Sequence, residues 1–278
     1  MKGKIYSINS GKYYIRDKQN IEHILPAAGF FRHKEITPLV GDNVEFIEGQ
    51  YINKIEERKN EFIRPKVANI DHIIVVMSSK NPDFQSYLVD KYLAFIESKN
   101  IEPIIFITKY DLEKSQWAEE YKKLGYKVCE IDYTTDKWVK NIQEIFKNKT
   151  CVFMGQSGVG KTTIINKITN NNFATQEIAK NAQRGKHTTR IVQIIPVFEG
   201  EIIDTPGFSS LDLKMTKAEL ATSFKQFREL AKQCKFKTCY HENEPENYCN
   251  IKMHVKDKTI PSFRYNNYLK LLKEVKDE

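Results

Sequence analysis

Nowhere in the 278 residues is there an apolar run long enough to cross a bilayer, so the sequence holds no membrane-spanning helix. Met1-Lys2-Gly3-Lys4 does not lead into the apolar core of a secretory leader, and the expected location is the cytoplasm, without a membrane partner. Cysteine is scarce. Five thiols, an odd number with three of them late, exclude a disulfide framework and leave metal ligation or burial. Acidic residues are outnumbered, 36 against 44 Lys and Arg, for a net charge of +8. That balance favours polyanionic partners, nucleic acid first, although lysines spread over solvated faces give the same total. The length suffices for two or three domains and a sizeable core.

Residues 1–65 are short, alternating segments without a convincing helix. Lys4–Ile8 and Tyr13–Arg16 flank Asn9-Ser10-Gly11-Lys12, and Val44–Ile47 and Ile52–Ile55 flank Glu48-Gly49-Gln50, which predicts two hairpins. Several short strands in this length argue for a small closed β-barrel of the oligonucleotide-binding type. Lys12, Tyr13, Tyr14, Arg16, Phe30, Phe31, Arg32, His33 and Lys34 run through it, suited to phosphates and bases but equally to core and solvated positions.

From Asn69 the pattern changes to strands alternating with helices. Ile70–Met77 and Pro103–Ile107 read as buried parallel strands, and helices are expected near 84–99, 114–124 and 137–147, with a strand near 127–131. That alternation predicts a parallel sheet covered on both faces. Its centre is the strand Cys151–Met154, which runs into Gly155, four residues, then Gly160-Lys161-Thr162 and a helical segment. Strand, glycine loop and helix in this order form a P-loop, whose backbone N–H groups cradle phosphates. Lys161 then meets the β- and γ-phosphates, and the Thr162 hydroxyl holds Mg²⁺. Asp111, in Thr108-Lys109-Tyr110-Asp111 at a strand end, can accept the paired N–H and NH₂ that guanine offers and adenine does not.

Residues 171–189 are polar and without periodicity, as expected of a mobile loop. Strands over 190–197 and 200–204 follow, and the second ends in Asp204-Thr205-Pro206-Gly207-Phe208. A carboxylate closing a buried strand, with a nearby glycine whose N–H can approach a γ-phosphate, is the Mg²⁺ and switch element of P-loop GTPases. A helix is expected near 216–232. Cys234, Cys239, His241 and Cys249 then place three thiolates and an imidazole within 16 residues, a donor set for structural zinc, with His254 the second choice for the imidazole. Cys129 and Cys151 fall in expected strands and read as buried thiols. A basic, aromatic helix near 261–277 closes the chain.

The base-reading element precedes the phosphate loop, the reverse of the usual order. With Pro38-Leu39-Val40-Gly41-Asp42, Ala68-Asn69-Ile70-Asp71, Arg184-Gly185-Lys186-His187-Thr188-Thr189-Arg190, Asp204–Phe208 and the Cys/His cluster, the chain resembles the circularly permuted, small-subunit-dependent GTPases of bacterial ribosome assembly. The resemblance covers essentially the whole length. It implies an OB-like β-barrel over 1–66, a central α/β P-loop GTPase domain with permuted motif order over 67–212, and an α-helical zinc-binding domain over 213–278. It further implies GTP hydrolysis stimulated by the 30S subunit, contact with 16S rRNA and a part in late maturation of that particle. Nothing in the sequence demands more than a monomer.

Residue by residue, the resemblance assigns phosphate binding to Gly155, Gln156, Ser157, Gly158, Val159, Gly160, Lys161, Thr162 and Thr163, with Gly207 at the γ-phosphate. Mg²⁺ falls to Thr162, Thr189 and Asp204, with Thr188 a substitute for Thr189, and guanine to Thr108, Lys109 and Asp111. Thr108 stands where Asn is usual, and Asp132-Tyr133-Thr134 departs from the small base-backing loop. Phe208 stands where many GTPases keep a water-orienting Gln, so intrinsic hydrolysis is expected to be slow, with His187 brought over the γ-phosphate when the particle orders its loop. The competing readings are an RNA-binding scaffold with a structural nucleotide site, and an ATP-dependent kinase or transport ATPase, against which Asp111 speaks.

Overall fold

In a computed structural model the chain is described over residues 1–63, 65–169, 192–204 and 215–275. It divides into two compact units, Met1–Val76 with Asp132–Leu211, and Met77–Ile131 with Asp212–Glu278. The division falls inside the strand His72–Ser78.

The first unit begins with the barrel. Lys2–Asn9 pairs antiparallel with Lys12–Asp17 and with Asn43–Ile47; Lys12–Asp17 pairs onward with Glu22–Leu25, and Asn43–Ile47 with Tyr51–Ile55. Ser10 and Gly11 take positive φ in the first hairpin, the geometry that lets a two-residue turn follow the strand twist. A bridge from Ala27 to Ile52 closes the ring. The alternation puts Ile5, Ile15, Leu25, Val44, Phe46 and Ile52 inside, and Phe31 joins them from a short helix, Phe30–His33. Four residues span barely one turn, so no helical period marks this element in the sequence.

Beyond the barrel, the Gly41-Asp42 corner is fixed by charge. Asp42, fully buried, accepts from the Leu39 N–H (2.7 Å) and from Arg58 Nε and Nη2 (2.8 Å each). A Cβ at Gly41 would lie 2.2 Å from the Ala68 carbonyl oxygen, so this close approach requires glycine. The strands His72–Ser78, Thr150–Met154 and Gly200–Asp204 run parallel side by side. Gln193–Val197 pairs antiparallel with the last of them, and its Gln193 also faces Ser7 of the barrel. Lys4 makes the same connection through side chains, donating to Thr150 Oγ1 (3.1 Å) and pairing with Glu201.

In the second unit Glu102–Thr108 and Lys127–Glu130 pair in parallel; the helix Ser86–Ser98 precedes the first of them in the chain and Trp117–Lys123 connects the two. The helix expected over 216–232 is in fact two, Lys217–Ala221 and Lys225–Ala231. Phe224, fully buried and extended, interrupts it. Two groups satisfy the ends exposed by the break: the distant Glu97 accepts from the Lys225 N–H (2.6 Å), and Arg228 of the second helix donates to the Thr222 and Ser223 carbonyls (3.1 and 3.0 Å). The closing helix is Ser262–Glu274. It is held to the first by a buried ion pair, Arg264 Nε to Asp90 Oδ1 at 3.1 Å. Asp90 also accepts from Tyr121 Oη (2.9 Å) and Asn267 Nδ2 (2.7 Å).

Candidate functional site

The expected strand, glycine loop and helix are present in the first unit. The strand Thr150–Met154 is buried throughout, and the helix Lys161–Thr169 begins at Lys161. Gly155 lies so close to the strand His72–Ser78 that a Cβ there would meet the Val76 carbonyl oxygen at 2.3 Å. Gly158 and Gly160 both take positive φ, 81° and 96°, turning the chain into the helix without strain. Lys161 Nζ folds back over the loop and donates to the carbonyls of Gly155 (2.6 Å) and Gln156 (2.7 Å). Its burial lowers the lysine pKa, because a half-buried ammonium has lost part of its hydration. Thr162 and Thr163 are exposed at the first turn. Tyr133, from the stretch that departs from the expected base-backing loop, donates its hydroxyl to the Gly160 carbonyl (3.3 Å) and supports the loop.

Asp204 closes the strand beside the phosphate-loop strand. Their parallel register, Thr150 opposite Glu201 and Val152 opposite Ile203, sets Asp204 at the same carboxyl end from which the loop departs. That end is where ligands bind in open α/β sheets. His187, Thr188, Thr189, Gly207 and Phe208 lie outside the described residues.

The expected base-reading element, Thr108-Lys109-Tyr110-Asp111, lies in the second unit. Thr108, fully buried, ends Glu102–Thr108, and its hydroxyl reaches the Met77 carbonyl at 3.4 Å. Lys109 turns the chain with φ of 54°. Asp111 is exposed and Lys109 half-buried. The Ile131 carbonyl accepts from the Tyr110 N–H (3.1 Å), and Lys109 Nζ reaches the Asn81 carbonyl. The arrangement presents a carboxylate at a strand end on a turn pinned from several sides.

The same unit brings Cys234, Cys239, His241 and Cys249 together, with their ligand atoms all within 4.8 Å of one another. His241 Nδ1 lies 3.4 Å from Cys249 Sγ and 3.8 Å from Cys234 Sγ, spacings that match the edges of a tetrahedron with Zn–S near 2.3 Å and Zn–N near 2.0 Å. His241 Nε2 is 3.2 Å from the Ala221 carbonyl. A carbonyl can only accept, so Nε2 carries the proton and the Nδ1 lone pair faces the thiols, the tautomer a ligand requires. The donor chemistry and its outer support therefore fit zinc. His254 lies instead beside Asp257, at 3.3 Å. Cys151 is buried and Cys129 half-buried; burial pushes their thiols up to about 12 and about 11, so both are inert at neutral pH.

Two family descriptions match this chain, RsgA GTPase over residues 55–214 and RsgA N-terminal domain over residues 2–51. A Mycoplasmopsis agalactiae protein named small ribosomal subunit biogenesis GTPase RsgA is 70% identical over 279 residues, covering 100% of this chain and 99% of the relative. The chain belongs to the RsgA GTPase family. A protein of the same name from Mycoplasmopsis pulmonis is 46% identical, with 99% of this chain and 100% of the relative covered. Among solved structures, YloQ, described as a circularly permuted GTPase, matches with a TM-score of 0.83 at 35% identity, over 100% of this chain and 96% of that one. YjeQ from Thermotoga maritima matches with a TM-score of 0.81 at 28% identity, over 99% and 98%. As an RsgA GTPase the chain is a GTP-hydrolysing enzyme with the permuted fold that its motif order implied.

The residues that sequence reasoning missed act from behind the motifs. Tyr133 and the Val76 carbonyl shape the phosphate loop, Ala221 orients His241, and Ser79 lies beneath the Thr108–Asp111 turn. Backbone carbonyls leave no sequence signal, and a lone Ser or Tyr offers none.

Proposed function

We propose that this chain is a cytoplasmic, monomeric GTPase that binds the 30S ribosomal subunit through 16S rRNA, is stimulated by it, and assists late maturation of that particle. Support comes from the small-subunit biogenesis GTPases that it resembles end to end. The observation that carries the enzymatic part is the phosphate loop packed against the Val76 carbonyl, with Lys161 held over it and Asp204 at the neighbouring strand end. Gly155 to Thr163 bind the phosphates, with Gly207 at the γ-phosphate; Lys109 and Asp111 read guanine, and Thr108 holds their turn from beneath. Lys161, which donates to the Gly155 and Gln156 carbonyls here, would meet the β- and γ-phosphates. Thr162, Thr189 and Asp204 hold Mg²⁺, which when bound offsets the negative charge on the β- and γ-oxygens. Cys234, Cys239, His241 and Cys249 hold one structural zinc. The functional divisions of the chain are 1–66 for RNA contact, 67–212 for nucleotide and 213–278 for the metal module.

His187 aligns the attacking water when the particle is bound. Turnover by His187→Ala with and without 30S subunits tests this: stimulated turnover is lost while GDP affinity is kept, and unchanged stimulation removes His187 from the reaction. The scaffold reading has less support, since the relatives are named as GTPases.

A further inference from the structure

We propose that Ser79 is a positioning residue for guanine selection: its hydroxyl sets the turn that aims Asp111. The inference rests on the reading that Asp111 recognises guanine and adds what makes that recognition sharp. Ser79 follows directly on the strand His72–Ser78 and is 5% exposed. Its N–H donates to the Thr108 carbonyl at 2.9 Å, continuing the pairing to the last residue before the turn. Its hydroxyl lies 3.2 Å from that same carbonyl and 2.6 Å from the carbonyl of Lys109. The Thr108 carbonyl already has the N–H, so the single hydroxyl proton goes to the nearer oxygen of Lys109.

Lys109 is the residue where this bond matters. It takes φ of 54°, a conformation that costs a non-glycine residue about 1 kcal/mol or more and persists only where neighbours hold it. Its side chain reaches the Asn81 carbonyl, and its own carbonyl accepts both from Ser79 and from the Leu112 N–H at 3.0 Å. The two bonds on that carbonyl fix the peptide plane between Lys109 and Tyr110, from which the chain proceeds to Asp111 one residue later. Without the hydroxyl, the part-buried carbonyl loses one partner and keeps the Leu112 N–H, and the plane is held less firmly. The carboxylate then meets the base at a wider range of angles.

Such a loss shows in selectivity rather than in phosphate affinity. Inosine diphosphate has the same phosphates and the same N1–H as GDP but lacks the 2-amino group, so the ratio of its Kd to that of GDP reports how well Asp111 grips the exocyclic amine. Equilibrium binding of both nucleotides to the full-length chain, as Ser79→Ala, Ser79→Thr and Asp111→Asn, is the test. The expected result is that Ser79→Ala lowers the ratio about tenfold, that is about 1.4 kcal/mol, while Ser79→Thr, which keeps the hydroxyl, restores it. A general loss of structure would weaken both nucleotides alike and leave the ratio intact. Asp111→Asn separates the two levels, because it is expected to move preference from GDP to xanthosine diphosphate. If it does so while Ser79→Ala keeps the parental ratio, the role of Ser79 is overturned. If Asp111→Asn leaves GDP preferred, the base-reading assignment falls and Ser79 falls with it.

Discussion

Replacing Arg264 by Met isolates what ties the closing helix to Ser86–Ser98. The guanidinium is 1% exposed, pairs with Asp90 at 3.1 Å, donates to Tyr126 Oη at 3.0 Å and lies 4.5 Å from the centre of the Phe224 ring. Met keeps much of the stem volume but leaves Asp90, fully buried, without its counter-charge. Removing one partner of a buried pair costs about 3–5 kcal/mol. Asp90 still accepts from Tyr121 and Asn267, which places this loss near the lower end, about 3 kcal/mol. At roughly 2–4 °C per kcal/mol for a chain of this size class, the melting temperature should drop by about 6–12 °C. Circular dichroism gives the global transition, and the emission of Trp117, whose ring lies 5.0 Å from Phe263, reports on this unit. The double variant Asp90→Leu with Arg264→Met removes both charges and should regain most of the loss, since an apolar pair of similar volume is often as stable as the ion pair. A single variant that melts within about 2 °C of the parent would refute the reasoning; so would a double variant no better than the single one.

Removal of the proposed zinc should release about one ion per chain to a chromogenic chelator and unfold the segment around Cys234–Cys249, because a four-ligand structural site is part of the folding energy. Cys249→Ser should lower both zinc content and melting temperature, and a zinc-free protein that melts like the parent would eliminate the metal. Asp71 offers a pH test. Burial alone would raise its carboxyl, but the Thr150 N–H and the Lys59 ammonium, each at 2.9 Å, outweigh that and hold it below the model-peptide value of 3.8. A depressed carboxylate contributes stability above its unfolded pKa and loses it as pH falls through the folded one. Asp71→Asn should therefore be less stable than the parent at neutral pH and converge with it in the acid range below 3.8; a gap that persists there would show that the carboxylate charge is not the cause.

What could be read in advance follows from how local each demand is. Gly155, Gly158 and Gly160 answer to backbone geometry inside one loop, and the Cys/His set to the reach of the single ion proposed for it, so both show as spacing along the chain. The barrel strands announce themselves by alternation, which sets Ile5, Ile15 and Ile52 facing inward. The break at Thr222–Phe224 could not be read, because the group that makes it affordable, Glu97, lies far away in sequence. Arg264 looks like one more basic residue on an amphipathic helix until Asp90 appears beside it. Ser79 sits next to Ser78 in the sequence, yet Ser78 bonds to the Pro82 carbonyl and Ser79 to that of Lys109. That difference exists only once the strands are paired.

Turnover of GTP and of ATP by the full-length chain, alone and with purified 30S subunits, at low and moderate salt, bears most directly on the proposed activity. Slow GTP-specific hydrolysis that rises many-fold on adding the subunit is the expected result. GTP hydrolysis indifferent to the subunit would contradict the proposed stimulation, and ATP turnover at comparable efficiency would contradict the guanine-reading role proposed for Asp111.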